Sequence, residues 1–183
     1  MVAATERLRA PALDRPFQVV LVEPEIPPNT GNIARLCAAT GAPLRLVGKL
    51  GFRIDEHAVR RAGLDYWHLV SVHQHPTLAE AEAAAQRDQP QGREAPRSWL
   101  FSGKGTRSMF DVRFQLGDIL VFGKESVGLP EDLLLERRGS VVAIPTLGEV
   151  RSLNLANSVA IAMYEALRQV GALSVRTPSP SSR

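Results

Sequence analysis

Three polar clusters hold most of the side chains that could do chemistry: Asn29, Thr30 and Arg35 after Pro24-Glu25-Ile26-Pro27-Pro28, Glu125 between Gly123 and Gly128, and Ser152, Asn154 and Asn157 after Arg151. Each follows an apolar run, at Phe17–Val22, Ile119–Phe122 and Val141–Ile144. Carboxamides both donate and accept hydrogen bonds, a carboxylate only accepts, and a guanidinium only donates. Strands that deliver such turns to one sheet edge can bring distant polar groups onto a single ligand.

In the first cluster Pro27-Pro28 predicts an extended chain, after which Asn29 or Thr30 caps a helix whose free amides suit an anion. Ile33, Leu36 and Cys37 mark the buried side of that helix, so Arg35 points to its margin. The plainer alternative makes Asn29 only a cap and Arg35 a solvated charge. In the second cluster Gly123 and Gly128 bracket Glu125 and permit close backbone approach to a ligand. This is neither the GxGxxG fingerprint nor a phosphate-binding GxxxxGK[ST] loop, and many such turns only reverse the chain. In the third, Ser152 or Asn154 caps the last helix, while Asn154 and Asn157 place amides on consecutive turns of an otherwise apolar sequence. Cys37, with no neighbouring base, reads as a small core residue. His57, His68, His73 and His75 lack a third ligand at metal-binding spacing, so no metal is expected.

Elements must position these groups. Strands are expected at Phe17–Val22, Leu44–Val47, Leu69–Val72, Trp99–Ser102, Ile119–Phe122 and Val141–Ile144. Helices are expected after the Pro-Pro step to Gly41, from Asp55 to Ala62, from Thr77 to Arg87, after Pro130, and from Asn154 to Val170 with Gly171 as the stop. Strands alternating with helices predict an α/β fold with a mostly parallel sheet flanked by helices. Residues 1–15 read as a flexible extension, 16–172 as one domain, 173–183 as a disordered tail, and 88–97 as a surface loop rich in Gln, Pro and Arg.

Composition excludes some classes. At 183 residues, with 44% hydrophobic and 22% charged, the chain can bury one ordinary core. A single cysteine rules out an internal disulfide. No apolar run reaches membrane-spanning length and no secretory signal opens the chain, so a cytoplasmic protein without a membrane partner is expected. The net charge of +3 permits a nucleic-acid partner without requiring one.

In order and spacing, PEIPPNTGNIARLCAATG, RRAGLDYW, FGKESVGLP and RSLNLANSVAIAMYEALRQ resemble the SpoU-like branch of the SPOUT methyltransferases. The match is nearest to the minimal-domain members that methylate the ribose 2′-oxygen of the tRNA wobble nucleotide, and it runs from about Phe17 to Ala172. It implies a C-terminal trefoil knot, which general topology rules would never have suggested. It also implies S-adenosylmethionine bound in the knot, a homodimer, and a tRNA anticodon stem-loop as partner. The resemblance places the cofactor at Phe101, Gly123, Ile144, Ser152 and Leu153, and Asn29, Arg35, Glu125 and Asn154 around the reacting centre. The last helix, with Asn157, Ala160, Ile161 and Tyr164, would join the dimer contact. Lys124 departs from the family's usual proline, and the extension and the 88–97 loop have no counterpart in the shortest members.

Family accounts assign a base role to the arginine here numbered 35. Deprotonating a guanidinium with a pKa above about 12 is expensive, so stabilising a developing alkoxide and gripping a phosphate suit Arg35 better. Asn29 and Asn154 would orient it and Glu125 would hold its guanidinium. Lys104, Arg107, Arg151, Arg60 and Arg61, with Lys49 and Arg53, are the candidate RNA surface. Alternatives are methylation at another tRNA or rRNA site, a catalytically silent RNA-binding protein with the same fold, and a nicotinamide-dependent oxidoreductase, which the missing glycine fingerprint disfavours.

Overall fold

The computed structural model describes residues 8–53 and 67–174. The helix expected from Asp55 to Ala62, with His57, Arg60 and Arg61, lies outside the described residues, as do residues 175–183 of the tail. Strands β1 (Gln18–Val22), β2 (Leu44–Val47), β3 (Val72–His75), β4 (Ser98–Phe101), β5 (Ile119–Phe122) and β6 (Val141–Val142) form one sheet in the order β3-β2-β1-β5-β4-β6. Every pairing is parallel, with Leu21 opposite both Leu46 and Phe122 at the centre. The central strands are buried on both faces, which is why β1 and β5 read as unbroken apolar runs rather than alternating ones.

Helices cover both faces. Helices α1 (Pro27–Thr40) and α4 (Leu155–Gln169) contribute Ile33, Ala34, Cys37, Val159, Met163 and Leu167 to the core cluster that contains Val19, Leu21, Leu44 and Leu46. Helices α2 (Leu78–Arg87) and α3 (Glu131–Glu136) cover the other face, where Ala81, Ala85 and Leu134 meet Val20, Val47, Leu100 and Val121. The chain runs outward from β1 through β2 to β3 on one side and builds β4, β5 and β6 on the other side of β1, which makes the carboxyl ends of the β1–β5 pair a topological switch point.

Some boundaries differ from expectation. The cap of α1 is Ile26, in extended geometry, and Pro27-Pro28 are helical residues rather than an extended lead-in. Proline costs nothing there, because first-turn amides have no intrahelical acceptor. Neither Asn29 nor Thr30 is therefore the cap, and the Thr30 hydroxyl is buried with no hydrogen-bond partner among the described residues. Strand β3 starts at Val72, not Leu69, because the ladder with β2 pairs Leu44 with Val72 and Val47 with His75. Leu69 ends a 3-10 turn and is exposed. Strand β4 begins one residue early, at Ser98, and β6 ends at Val142 because Ala143 turns to bridge Ser108.

A polar cluster lies beneath α2 that the hydrophobic pattern concealed. Arg45, in the middle of β2, is fully buried; its guanidinium donates to Gln18 Oε1 at 2.9 Å and Asp88 Oδ2 at 2.6 Å, and lies 3.2 Å from His75 Nε2. Gln18 donates in turn to the Ala85 carbonyl. The Arg45 hydrogen bond holds Asp88 below the usual carboxylate range, while burial and the Arg45 charge lower both His73 and His75. A depressed histidine pKa means the unfolded chain takes up protons first, so stability falls as the pH drops below about 6.5. The Asp88 contribution is present above its unfolded pKa and is lost as pH falls below about 4. The melting temperature should therefore drop in two acid stages; His75→Gln should blunt the first and Asp88→Asn the second. Arg45→Ala, which strands buried polar groups, should cost about 3–5 kcal/mol in denaturant unfolding.

Candidate active site

The carboxyl ends of β4, β5 and β6 and the start of α4 surround a cavity of about 700 Å³. Phe101 and Phe122, adjacent residues of β4 and β5, stack with centroids 4.5 Å apart and an interplanar angle of 14°, and both residues line the cavity while their rings belong to the core. Above them the chain turns back on itself between Gly123 and Gly128. The Gly128 amide donates to the Lys124 carbonyl at 2.9 Å, and Gly128 adopts a positive φ of 79°. A Cβ on Gly123 would collide with the Gly128 carbonyl carbon and the Leu129 nitrogen, so only glycine allows this fold-back.

The polar clusters meet here in one directed chain of hydrogen bonds. Asn154 caps α4, its Oδ1 accepting from the amides of Ala156 and Asn157. With that oxygen committed, Asn154 Nδ2 donates to Asn29 Oδ1 at 3.0 Å. Asn29 Nδ2 then donates to Glu125 Oε1 at 2.9 Å. A carboxylate at one end and helix amides at the other leave each carboxamide only one orientation that satisfies both neighbours. Glu125 also accepts from the backbone amides of Glu25 at 2.8 Å and Ile26 at 3.3 Å, taking up otherwise unpaired donors before α1.

Two residues that the sequence reading overlooked close the same joint. Glu25 Oε2 accepts from the Ser126 amide at 3.0 Å, reciprocating the bond from its own amide to Glu125. Lys124 Nζ pairs with Glu23 Oε2 at 2.8 Å, which raises the lysine pKa, so the departure from proline is spent on a second clasp between the same two loops. Glu23 directly follows the apolar run Phe17–Val22 and Glu25 stands inside the PEIPPN motif two residues on, and those positions were the available signal.

Phe101, Gly123, Ile144, Ser152 and Leu153 all line the cavity, as do Asn29, Glu125 and Asn154. Of the cationic candidates, Lys104 and Arg151 line it as well; Arg107 does not. Arg35 is exposed on α1 and is not among the lining residues. Lys49 and Arg53 are exposed in the loop after β2. No group of three metal-ligating side chains occurs among the described residues, and no helix there is long and apolar enough to cross a membrane.

The family model described as "SpoU rRNA Methylase family" matches residues 16–164. The chain belongs to that family. A relative from Saccharophagus degradans, named tRNA (cytidine(34)-2'-O)-methyltransferase, is 46% identical over 156 residues, covering 85% of this chain and 96% of its own. A solved structure described as "Structural insights into the 2-OH methylation of C/U34 on tRNA" matches with a TM-score of 0.74 at 45% identity, over 85% of this chain and 96% of that one. The SpoU methyltransferase AviRb from Streptomyces viridochromogenes, solved in complex with AdoMet, matches with a TM-score of 0.70 at 26% identity, over 89% of this chain and 62% of that one.

The one-way hydrogen-bond chain has a sharp test in Asn29→Asp, which sets a carboxylate against Glu125. The variant should lose about 2–3 kcal/mol at pH 7 and regain most of it near pH 5, where the two acids share a proton. Denaturant unfolding at both pH values measures this; equal losses at the two would contradict the arrangement.

Proposed function

We propose that this protein transfers a methyl group from S-adenosylmethionine to the ribose 2′-oxygen of the wobble nucleotide of tRNA, position 34, as its named relative does. One observation carries the reading: Asn29, Glu125 and Asn154, far apart in the chain, are hydrogen-bonded at the rim of a cavity that Phe101 and Phe122 also line. The volume, about 700 Å³, suits a nucleoside-sized ligand. Its lining also fits, because it joins apolar residues (Phe101, Phe122, Ile144) with polar groups and with Gly123 and Gly128, which carry no side chain.

When bound there, the cofactor supplies an electrophilic methyl group on a sulfonium centre. This chain's residues must then align the ribose hydroxyl with that methyl group and leave its proton a route away from the oxygen. Phe101, Gly123, Ile144, Ser152 and Leu153 would hold the adenosine part. Asn29 and Asn154, fixed by Glu125, would fix the rim beside the incoming sugar. Arg35 would stabilise negative charge developing on the 2′-oxygen and grip a neighbouring phosphate, with the proton leaving through phosphate or water. Lys104 and Arg151 at the rim, with Arg107, Arg60 and Arg61, would take up the anticodon stem-loop backbone.

Because Arg35 stands outside the lining of its own cavity, we include in this reading a second copy of the chain that completes the site. Ile161 and Tyr164, exposed on α4 at 39% and 48%, support such a contact. The C-terminal trefoil knot and cytoplasmic work on tRNA belong to the same proposal.

Incubating the protein with labelled methyl donor and total RNA lacking this modification, then mapping the product by mass spectrometry, should locate the methyl group on the ribose of nucleotide 34. Label on ribosomal RNA alone would overturn the substrate assignment. Arg35→Ala should lower kcat by about 100-fold or more while leaving cofactor affinity in calorimetry nearly unchanged, and Arg35→Lys should fall between. Wild-type turnover in Arg35→Ala would remove that residue from the mechanism.

A further inference from the structure

The clasp between the loops after β1 and β5 is built on a strained residue. Glu23, directly after β1, adopts a φ of 49°, and among the described residues only Arg15 shares a positive φ without being glycine. A Cβ is crowded by the backbone in this region, where glycine or asparagine would sit with less strain. Such a conformation persists only where its surroundings over-determine it.

The surroundings of Glu23 do so from two sides. Its amide donates to the Val47 carbonyl at 2.8 Å, and the Gly51 amide donates to the Pro24 carbonyl at 2.9 Å, so the loop after β2 fixes the backbone. A Cβ at Gly48 would stand 3.0 Å from Glu23 Cγ, and one at Gly51 would stand 2.8 Å from Glu25 Cα; the two loops close together because neither position carries a side chain. On the other side Lys124 Nζ donates to Glu23 Oε2 at 2.8 Å. That ion pair is half open to solvent, with 42% of the Glu23 side chain and 31% of the Lys124 side chain exposed, and pairs so open add little stability.

What the pair does supply is position. Glu125 is flanked by Lys124, held by Glu23, and by Ser126, whose amide is held by Glu25 Oε2 at 3.0 Å. The Lys124 carbonyl also receives the Gly128 amide that closes the fold-back. With both flanks tied, the Glu125 carboxylate keeps its direction toward Asn29 Nδ2; with one untied, it can pivot about the other.

We infer that Glu23 is a positioning residue for methyl transfer: by holding Lys124 it sets the direction of the Glu125 carboxylate, and through it the Asn29 carboxamide at the rim. The inference rests on the methyltransferase reading and adds to it a residue outside the cavity lining.

The test joins methyl-transfer kinetics to melting temperature and to amide hydrogen exchange. Glu23→Gly relieves the left-handed strain while removing the carboxylate. Its melting temperature should hold or rise, while kcat falls about tenfold and KM for S-adenosylmethionine stays within about threefold. A merely structural role would move stability and turnover together. Glu23→Lys combined with Lys124→Glu rebuilds the pair with its charges exchanged, and should recover turnover to within about threefold of wild type where each single change loses about tenfold. Without any ligand, the Glu25 and Gly128 amides should exchange about threefold faster in Glu23→Gly than in the wild type. Wild-type kcat in Glu23→Gly, a loss of kcat matched by a loss of melting temperature, a rise in KM alone, no recovery in the exchanged pair, or unaltered amide exchange would each overturn the inference. Absence of S-adenosylmethionine binding to the wild type in calorimetry defeats the methyltransferase proposal and leaves amide exchange to decide this one. Normal binding and turnover, with the Glu23 variants unchanged, defeats only this one.

Discussion

The carboxamide of Asn29 is the shared partner on which the site depends. It accepts from Asn154 and donates to Glu125, so one side chain joins the start of α1, the loop after β5 and the start of α4. Asn29 is 7% exposed, and a buried carboxamide tolerates neither loss of a partner nor reversal of its two ends. The direction of the chain is set at its extremities, by a group that can only accept and by amides that can only donate. Everything between inherits its orientation from those two facts.

Around that joint the architecture divides its labour. The parallel sheet puts all six strand carboxyl ends at one edge and leaves the loops there to supply the chemistry, while the helices on both faces supply burial. The loops are not loose. Reciprocal bonds between Glu25, Glu125 and Ser126, and the Lys124–Glu23 pair, tie the loop after β1 to the loop after β5. A cavity with clasped walls can present oriented groups to a ligand without reorganising them on binding.

The central strands and the major helices were legible because their apolar patterns were long and their neighbours predictable; Ile119–Phe122 and the span of α4 are cases in point. Family motifs then led to the cavity-lining residues, which propensity alone could not have grouped. What escaped was set by tertiary contact. Strand β3 is placed by its register with β2, not by its own hydrophobicity, and the alternation of its histidines carries no strong signal. Arg45 occupies a strand position that reads as a sequence irregularity until Gln18, His75 and Asp88 are seen around it. The capping of α1 was misassigned because Asn29, a good cap by type, had a longer-range use for its amide.

The separations along the chain have a temporal consequence. The bond from Asn29 to Glu125 spans 96 residues and that from Asn154 to Asn29 spans 125. During synthesis, β1 and α1 emerge long before either partner exists, so the first of the polar clusters waits with its amide unpaired while the ribosome makes most of the domain. Contacts of such range also pay loop-closure entropy late, which predisposes the chain to slow final folding steps. A nascent chain that stops short of α4 therefore carries the Phe101–Phe122 stack but lacks Asn154, and with it the bond that orients Asn29.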